Sequence, residues 1–268
     1  MEAPDAEVEA PTMGLQSYGD VTYTNELANL LEHGHLNDIW LGSEVMKVVA
    51  SWTRELCMNI SEGHALDVGD DFSLKPGSHE EVVKCLSNWS VLYIGTGKVL
   101  KLVISQQPYM NWFSNLTGID YSQAAIDLAR NFAVRDRLTK ICFLVDDICE
   151  TKLERQFQLV MDKGALDTIG LHPDGPVRRA GVGRVTCSTQ PIAIVMIMVI
   201  TSSNSTKDEL AQEVEAFYRQ HLLEPPKDPD LRRESTMSQY LSYVQKCPIS
   251  IYGGMEGSPV STVAFIWR

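Results

Sequence analysis

The stretch Val91–Gly97, VLYIGTG, decides the fold class of this chain of 268 residues. Four apolar residues in a row, as in a strand that is buried on both faces, end at a Gly-Thr-Gly turn. Glycines after such a strand let the backbone come close to a ligand and direct amide N–H groups toward it. Many ordinary tight turns have the same composition, so the segments around this one have to distinguish a ligand site from a simple turn.

After Trp89, short apolar runs alternate with amphipathic segments, which is the pattern of βαβ units around a parallel sheet. Helical periodicity is clear over residues 123–135 and 207–221, and each segment follows a suitable N-cap residue, Ser122 or Thr206. The predicted strands are SVLYIG, NLTGID, KICFLVDD, FQLVMDKG, IAIVMIMVITSS and VSTVAFIW. The predicted fold class is therefore α/β, with helices on both faces of a mainly parallel sheet.

Three further segments precede this sheet domain, which is predicted to occupy residues 89–268. Residues 1–17 are acidic with few large apolar side chains and are predicted to be a disordered tail. Residues 18–58 are predicted to form an N-terminal helical cap of two helices, the first beginning near Tyr23, because apolar residues recur there at helical spacing. Residues 59–88 are acidic and interrupted by glycine and proline, which indicates an insertion loop.

Charge and cysteine content exclude several classes of function. The net charge of −12 disfavours nucleic-acid binding, which normally uses a basic face, and favours a basic protein partner. The six cysteines include no C-x-x-C pair and the histidines show no metal spacing, so no metal site or disulfide framework is expected. Reduced thiols and the lack of secretory features at the N-terminus predict a cytoplasmic or nuclear protein. The apolar run PIAIVMIMVI is too short for a membrane span of about 20 residues.

Acidic residues end three of the predicted strands that follow the glycine turn. Asp120 ends the second strand, where a carboxylate can accept both hydroxyls of a ribose. Asp146 and Asp147 end the third strand, where one of them can bind the amine of an adenine, and Asp162 ends the fourth. Because the carboxyl ends of parallel strands meet at one edge, a nucleotide-type site is predicted there. The local alternatives are a carboxylate near a helix N-terminus, favoured by the helix dipole, for Asp120 and solvated surface positions for Asp146 and Asp147.

Six segments are spread over most of the length of residues 15–221: YTNELANLLEHGHLNDIWLGSEVM, VLYIGTG, LTGIDYS, FLVDDI, VMDKGALDTIGLHPDG and ITSSNSTKDEL. In combination they resemble the seven-strand S-adenosylmethionine-dependent methyltransferases, and within them the branch that methylates lysine on elongation factor 1-alpha. The pairing of DKG-x-x-D-x-I with IW-x-G is specific to that branch. The acidic insertion and the LHPDGPV segment resemble its plant members.

The resemblance implies a Rossmann-like class I sheet of seven strands with an N-terminal helical extension, acting as a monomeric protein-lysine N-methyltransferase on elongation factor 1-alpha. The implied cofactor is S-adenosyl-L-methionine. The residues implied to bind it are Gly95, Thr96, Gly97, Asp120, Tyr121, Asp146 and Asp147. The residues implied to lie beside the methyl group and the incoming lysine are Asp162 and Lys163. The implied pocket residues are Trp40, Asp167 and Asn204, with a core role for Trp40 as the alternative.

The sequence departs from this family at three places. Tyr93 stands where the family normally has an acidic residue that holds the cofactor loop, and tyrosine is not a charged acceptor at neutral pH. Lys98 and Val99 replace the last part of the glycine motif, and residues 98–114 and 179–191 lack the expected helical pattern. Two alternatives therefore remain: a catalytically decayed methyltransferase-fold protein that acts as a binding module, and an NAD-dependent oxidoreductase.

Overall fold

The structure is a computed structural model, which describes residues 14–34, 42–61, 86–97, 113, 115–138, 140–155, 157–175, 196–202, 205–213, 241–247, 251–252 and 259–267. Its strands are β1 Ser90–Ile94, β2 Asn115–Asp120, β3 Ile141–Val145, β4 Leu159–Lys163, β5 Met196–Ser202, β6 Leu241–Lys246, β7 Ile251–Tyr252 and β8 Pro259–Trp267. Its helices are α1 Gln16–His33, α2 Gly42–Ser61, α3 Gln123–Arg135 and α4 Ala165–Gly170. Residues 207–213 are also helical and are called α5.

The strands form one eight-stranded sheet in the order β3-β2-β1-β4-β5-β8-β6, with β7 paired to β8. The first five strands of that order run parallel, whereas β8 is antiparallel to both β5 and β6. This confirms the predicted α/β class and all six predicted strands. The expected count of seven strands is not confirmed, since eight lie within the described residues. β7 has only two residues, and β6, LSYVQK, mixes polar and apolar residues, so neither has the continuous apolar run that predicts the other strands.

The two faces of the sheet are covered by different elements. On one face, Val49, Trp52 and Leu56 of α2 pack in a cluster that includes Val91 and Tyr93 of β1. The opposite face carries a second cluster of strand residues together with α4 and α5 side chains. Apolar strand residues are therefore buried on both sides, as the continuous apolar pattern of β1 predicts.

Helix α3 has the predicted bounds, and its predicted N-cap is confirmed: Ala125 N donates to Ser122 Oγ at 3.4 Å. The predicted cap of α5 is also confirmed, since Glu209 N donates to Thr206 Oγ1 at 3.2 Å. Thr206 N in turn donates to a carboxylate oxygen of Glu209 at 2.7 Å, which completes a capping box. Both helix starts thus follow from local side-chain chemistry.

Helix α1 begins at Gln16 rather than near Tyr23, and it packs along α3. Leu30 of α1 joins Leu128 and Phe132 of α3 in a small apolar cluster. The first turns of α1 carry little apolar periodicity, so their helical conformation is not evident from sequence alone. Tertiary contacts at Gly19, described below, hold this part of the helix.

Several predictions lie outside the described residues. These are Trp40, Asn204, Lys98, Val99, nearly all of residues 98–114, all of residues 179–191, and most of the predicted tail and insertion loop. None of the helices that the structure describes is long and apolar enough to cross a membrane. Cys57, Cys142, Cys149 and Cys247, the cysteines within the described ranges, are not in disulfide bonds.

Candidate functional site

The turn after β1 is held against the end of β2 by its own backbone. Gly95 has a φ of 69°, a left-handed conformation that favours glycine. The N–H groups of Gly95 and Thr96 both donate to the carbonyl oxygen of Ile119, at 3.0 and 3.1 Å. The turn therefore closes the carboxyl end of β1 onto the neighbouring strand β2, and Gly97 is the next residue along the chain.

The side chain of Thr96 points into the protein. It is fully buried, and its hydroxyl donates to the carbonyl oxygen of Ile119 at 3.0 Å. Its methyl group lies where a Cβ of Gly118 would be, only 2.3 Å from that position. The Thr96 side chain thus fastens the turn to β2, and Gly118 is needed to make room for it.

Asp120 links the loops that follow β1 and β2. One carboxylate oxygen accepts from Gly97 N at 3.3 Å and the other accepts from Ser122 N at 3.1 Å. The residue is only 4% exposed. Burial raises the pKa of Asp120 to about 6, although the N–H donors from Ser122 and Gly97 oppose that rise. Ser122 caps α3, and Asp120 stands two residues before that cap, so this position also fits the local alternative of a carboxylate near a helix N-terminus.

Two tyrosines and two glycines join α1 to this edge of the sheet. A Cβ on Gly97 would lie 2.4 Å from Cε1 and 2.5 Å from Oη of Tyr23, so the tip of that ring rests on Gly97. In the reverse direction, a Cβ on Gly19 of α1 would lie 1.6 Å from Oη of Tyr121. Each contact is possible only because the glycine has no side chain. Burial and then the charge of Asp120 raise the pKa of both phenols, that of Tyr121 to about 12.

Asp146 and Asp147, at the end of β3, both make local hydrogen bonds. Asp146 accepts from the Thr151 hydroxyl and from Lys152 N, the latter at 3.2 Å. Asp147 accepts from Cys149 N at 2.9 Å and caps a short 3-10 helix. The backbone N–H of Asp146 also donates to the carbonyl oxygen of Asp120 at 3.0 Å. Asp146 and Asp120 therefore lie next to each other at the ends of β3 and β2.

Asp162 is a buried carboxyl group at the end of β4. Its Oδ1 accepts from Leu166 N at 3.2 Å, whereas its Oδ2 has no hydrogen-bond partner within the described part of the chain. Burial is the main cause that raises the pKa of Asp162 to about 8, and the charge of Asp167 adds to the rise. A carboxyl group with these properties exchanges its proton near neutral pH.

Tyr93 is buried on β1 beside β4, in the apolar cluster that also contains Trp52 and Met161. Its hydroxyl has no hydrogen-bond partner among the residues that the structure describes. Burial and the nearby charge of Asp162 raise the pKa of Tyr93, so the phenol stays neutral. Tyr93 therefore does not supply the charged acceptor that the family's acidic residue would supply at this position.

Lys163 and Asp167 lie close to Asp162 and are also buried. Gly164, between them, has a φ of 73° and donates its N–H to the carbonyl oxygen of Thr201 on β5 at 3.1 Å. Asp167 accepts from Ser202 Oγ at 2.6 Å, which ties α4 to the end of β5. The DKG-x-x-D segment is thus a compact turn that places both of its aspartates at the carboxyl edge of the sheet.

The predicted residues within the described ranges all lie at the carboxyl ends of neighbouring strands. The strand order reverses between β1 and β4, which is where an open α/β sheet binds its ligands. Sequence reasoning missed Gly19 and Tyr23 of α1 and Ser202 of β5. The signal for Tyr23 was its place in the resembling YTNEL segment, whereas Gly19 and Ser202 carry no recognisable motif. Among the described residues, no group of three acidic, His or Cys side chains could hold a metal ion.

Comparison with known proteins shows several relatives. The chain is 32% identical over 201 residues to EEF1A lysine methyltransferase 2 of Danio rerio, covering 75% of this chain and 73% of the relative. It is 29% identical over 202 residues to the Homo sapiens protein of the same name, covering 75% and 72%. A solved magnesium protoporphyrin IX methyltransferase from Synechocystis PCC 6803 aligns with a TM-score of 0.48 at 9% identity, over 98% of this chain and 100% of that one. No family model matches the chain.

Proposed function

The chain belongs to the family of EEF1A lysine methyltransferase 2, and from this premise we propose that it methylates a lysine of elongation factor 1-alpha with S-adenosylmethionine as the methyl donor. The observation that supports this most directly is the geometry of the carboxyl edge. A glycine turn, Asp120 and the buried Asp162 stand at the ends of three adjacent parallel strands, β1, β2 and β4. Family membership disfavours the oxidoreductase alternative.

The residues at this edge fit the proposed cofactor. Asp120 accepts the N–H groups of Gly97 and Ser122 at different oxygens, and the N–H of Tyr121 also acts on it, whereas an ionised carboxylate has about four acceptor positions, so acceptor capacity would remain for a ribose hydroxyl. The N–H groups of Gly95 and Thr96 bond Ile119 and that of Gly97 bonds Asp120, so the methionine part would pack against the backbone of this turn, with Tyr121 beside the ribose. Asp147 or Asp146 would hold the adenine amine. When bound, S-adenosylmethionine would supply a sulfonium methyl group whose carbon an amine can attack in line, with S-adenosylhomocysteine as the leaving group.

Asp162 is the residue we assign to the incoming amine. Its unpartnered Oδ2 is a buried acceptor, and a buried polar atom of this kind gains most when it receives a hydrogen bond. A lysine amine is nucleophilic only when it is neutral, so it has to lose a proton before the transfer. With a pKa of about 8, about a tenth of the Asp162 carboxyl groups are ionised at pH 7, and this ionised form would accept the amine proton at Oδ2. The nearby charge of Asp167 raises the pKa of Asp162, and that of Lys163 lowers it.

The partner surface is expected to be basic. A net charge of −12 attracts a positively charged, lysine-bearing surface and disfavours a polyanion such as nucleic acid. We propose a monomeric enzyme that acts in the cytoplasm, with the nucleus as a second location. The absence of disulfides among the described cysteines is compatible with a reducing compartment. Trp40 and Asn204 remain proposed pocket residues.

The test is a methylation assay with purified elongation factor 1-alpha, followed by mass spectrometry of its lysines. Wild-type protein should add methyl groups to a defined lysine. Asp162→Asn should lower the rate by about 100-fold, because the proton acceptor is lost. Asp127→Asn is the matched control, since Asp127 lies exposed on α3, and it should keep the wild-type rate. A folded wild-type protein that neither binds S-adenosylmethionine nor methylates lysine would instead support the binding-module alternative.

A further inference from the structure

The contact between Tyr23 and Gly97 puts a side chain where the glycine turn would otherwise be open. A Cβ on Gly97 would lie 2.4, 2.5 and 2.6 Å from Cε1, Oη and Cζ of the ring. The tip of the phenol therefore fills the volume that the missing side chain leaves. A ligand that uses the open face of Gly97 needs the same volume.

Asp120 is shielded by the same arrangement. It is 4% exposed, and it accepts the N–H of Gly97, the residue that the Tyr23 ring touches, at 3.3 Å. Tyr121 is in turn covered by Gly19 of α1. A ribose that reached Asp120 would have to pass the segment of α1 between Gly19 and Tyr23.

We propose that Tyr23 is a further residue of the cofactor site, contributed by α1, and that its ring competes with the cofactor for the face of Gly97. This rests on the proposed function, because it assumes that the cofactor binds at this edge. Helix α1 then has to move its Tyr23 turn away from Gly97 before the cofactor can bind. The apparent affinity is lowered by the fraction of molecules in which the ring still covers the glycine.

The test measures S-adenosylhomocysteine binding by isothermal titration for wild-type protein, Tyr23→Leu and Tyr23→Phe. Leucine keeps an apolar side chain on α1 but lacks the ring atoms that touch Gly97, whereas phenylalanine keeps Cε1 and Cζ. We expect Tyr23→Leu to bind about tenfold more tightly than wild type, which corresponds to a wild type in which the ring leaves Gly97 uncovered in roughly one tenth of the molecules. Tyr23→Phe should bind less than about threefold more tightly.

Leu27→Ala is the control for loosening α1 in general, because Leu27 packs on the same α1–α3 cluster as Tyr23. It should change the affinity much less than Tyr23→Leu. Hydrogen exchange of the wild type is the second measurement: amides of α1 near Tyr23 should exchange faster when S-adenosylhomocysteine is added.

Three results would overturn the proposal. Unchanged or weaker binding by Tyr23→Leu would mean that the ring has no effect on cofactor binding or contributes to it. That result would leave the proposed function intact. An equal gain from Leu27→Ala, or slower exchange of α1 on binding, would point to helix docking rather than ring competition. A lack of binding by wild type and all three folded variants would contradict both this proposal and the proposed cofactor.

Discussion

Tyr93 and Asp162 are coupled at the ends of the adjacent strands β1 and β4: burial raises the pKa of Tyr93, and the carboxylate of Asp162 raises it further. Neither Tyr93 Oη nor Asp162 Oδ2 has a hydrogen-bond partner within the described ranges. Two buried polar atoms next to the glycine turn therefore lack hydrogen bonds, which lowers the stability of the fold. The same two atoms can form hydrogen bonds with a ligand.

Tyr93→Phe removes one of these atoms and should raise the free energy of unfolding by about 1 kcal/mol, because a buried hydroxyl without a partner is lost at constant shape. Restoring the family's acidic residue has the opposite effect. Tyr93→Asp should lower that free energy by more than about 3 kcal/mol, since it leaves a cavity and places a second carboxyl near Asp162. Urea unfolding of both variants checks this, and a Tyr93→Asp protein more stable than wild type would contradict it.

Asp162→Asn should change the pH dependence of stability. The folded pKa of about 8 lies above the ordinary value of 3.8, so the folded state favours the protonated form. The stability that this group contributes is complete below about pH 4 and is lost as the pH rises through 8. Wild type should therefore lose up to about 1.4 kcal/mol per pH unit more than Asp162→Asn between about pH 5 and pH 7.5. Parallel stability curves for the two proteins would contradict this.

Ser202→Ala should loosen the link between β5 and α4. Ser202 Oγ donates to Asp167 Oδ1 at 2.6 Å and accepts from Ser205 N at 3.1 Å, and the bond to Asp167 is buried. Its removal should lower the free energy of unfolding by about 2 kcal/mol in a urea titration. Ser205→Ala, a matched change at a residue that takes part through its backbone N–H, should stay within about 0.5 kcal/mol of wild type.

Gly19→Ala should have opposite effects in two backgrounds. In the wild type, the new Cβ would meet Tyr121 Oη at 1.6 Å, and the displacement of α1 should lower stability by about 1 to 2 kcal/mol. In a Tyr121→Ala background the obstacle is gone, and alanine should stabilise the helix by up to about 1 kcal/mol relative to glycine. A double-mutant cycle measured by thermal unfolding tests this. Equal effects in both backgrounds would show that the contact does not hold α1.

Local features of the sequence predicted much of the fold. Six strands, the bounds of α3 and the capping residues Ser122 and Thr206 follow from interactions among residues close together in the chain. Continuous apolar runs predict buried parallel strands, and a hydroxyl before an amphipathic run predicts a helix start. The positions of Asp120 and Asp162 at strand ends follow from the same patterns.

Contacts between distant parts of the chain lie beyond such patterns. Nothing in the sequence periodicity indicates that Gly19 receives Tyr121, that Tyr23 rests on Gly97, or that α1 consequently lies over Asp120. The same is true of the raised pKa of Asp162, because burial and the approach of Asp167 depend on how the completed sheet is covered. The order of residues along the chain thus specifies which groups stand at the carboxyl edge. Packing between elements sets their exposure, their proton affinity and the ease with which a ligand reaches them, since those properties arise from neighbours far away in sequence.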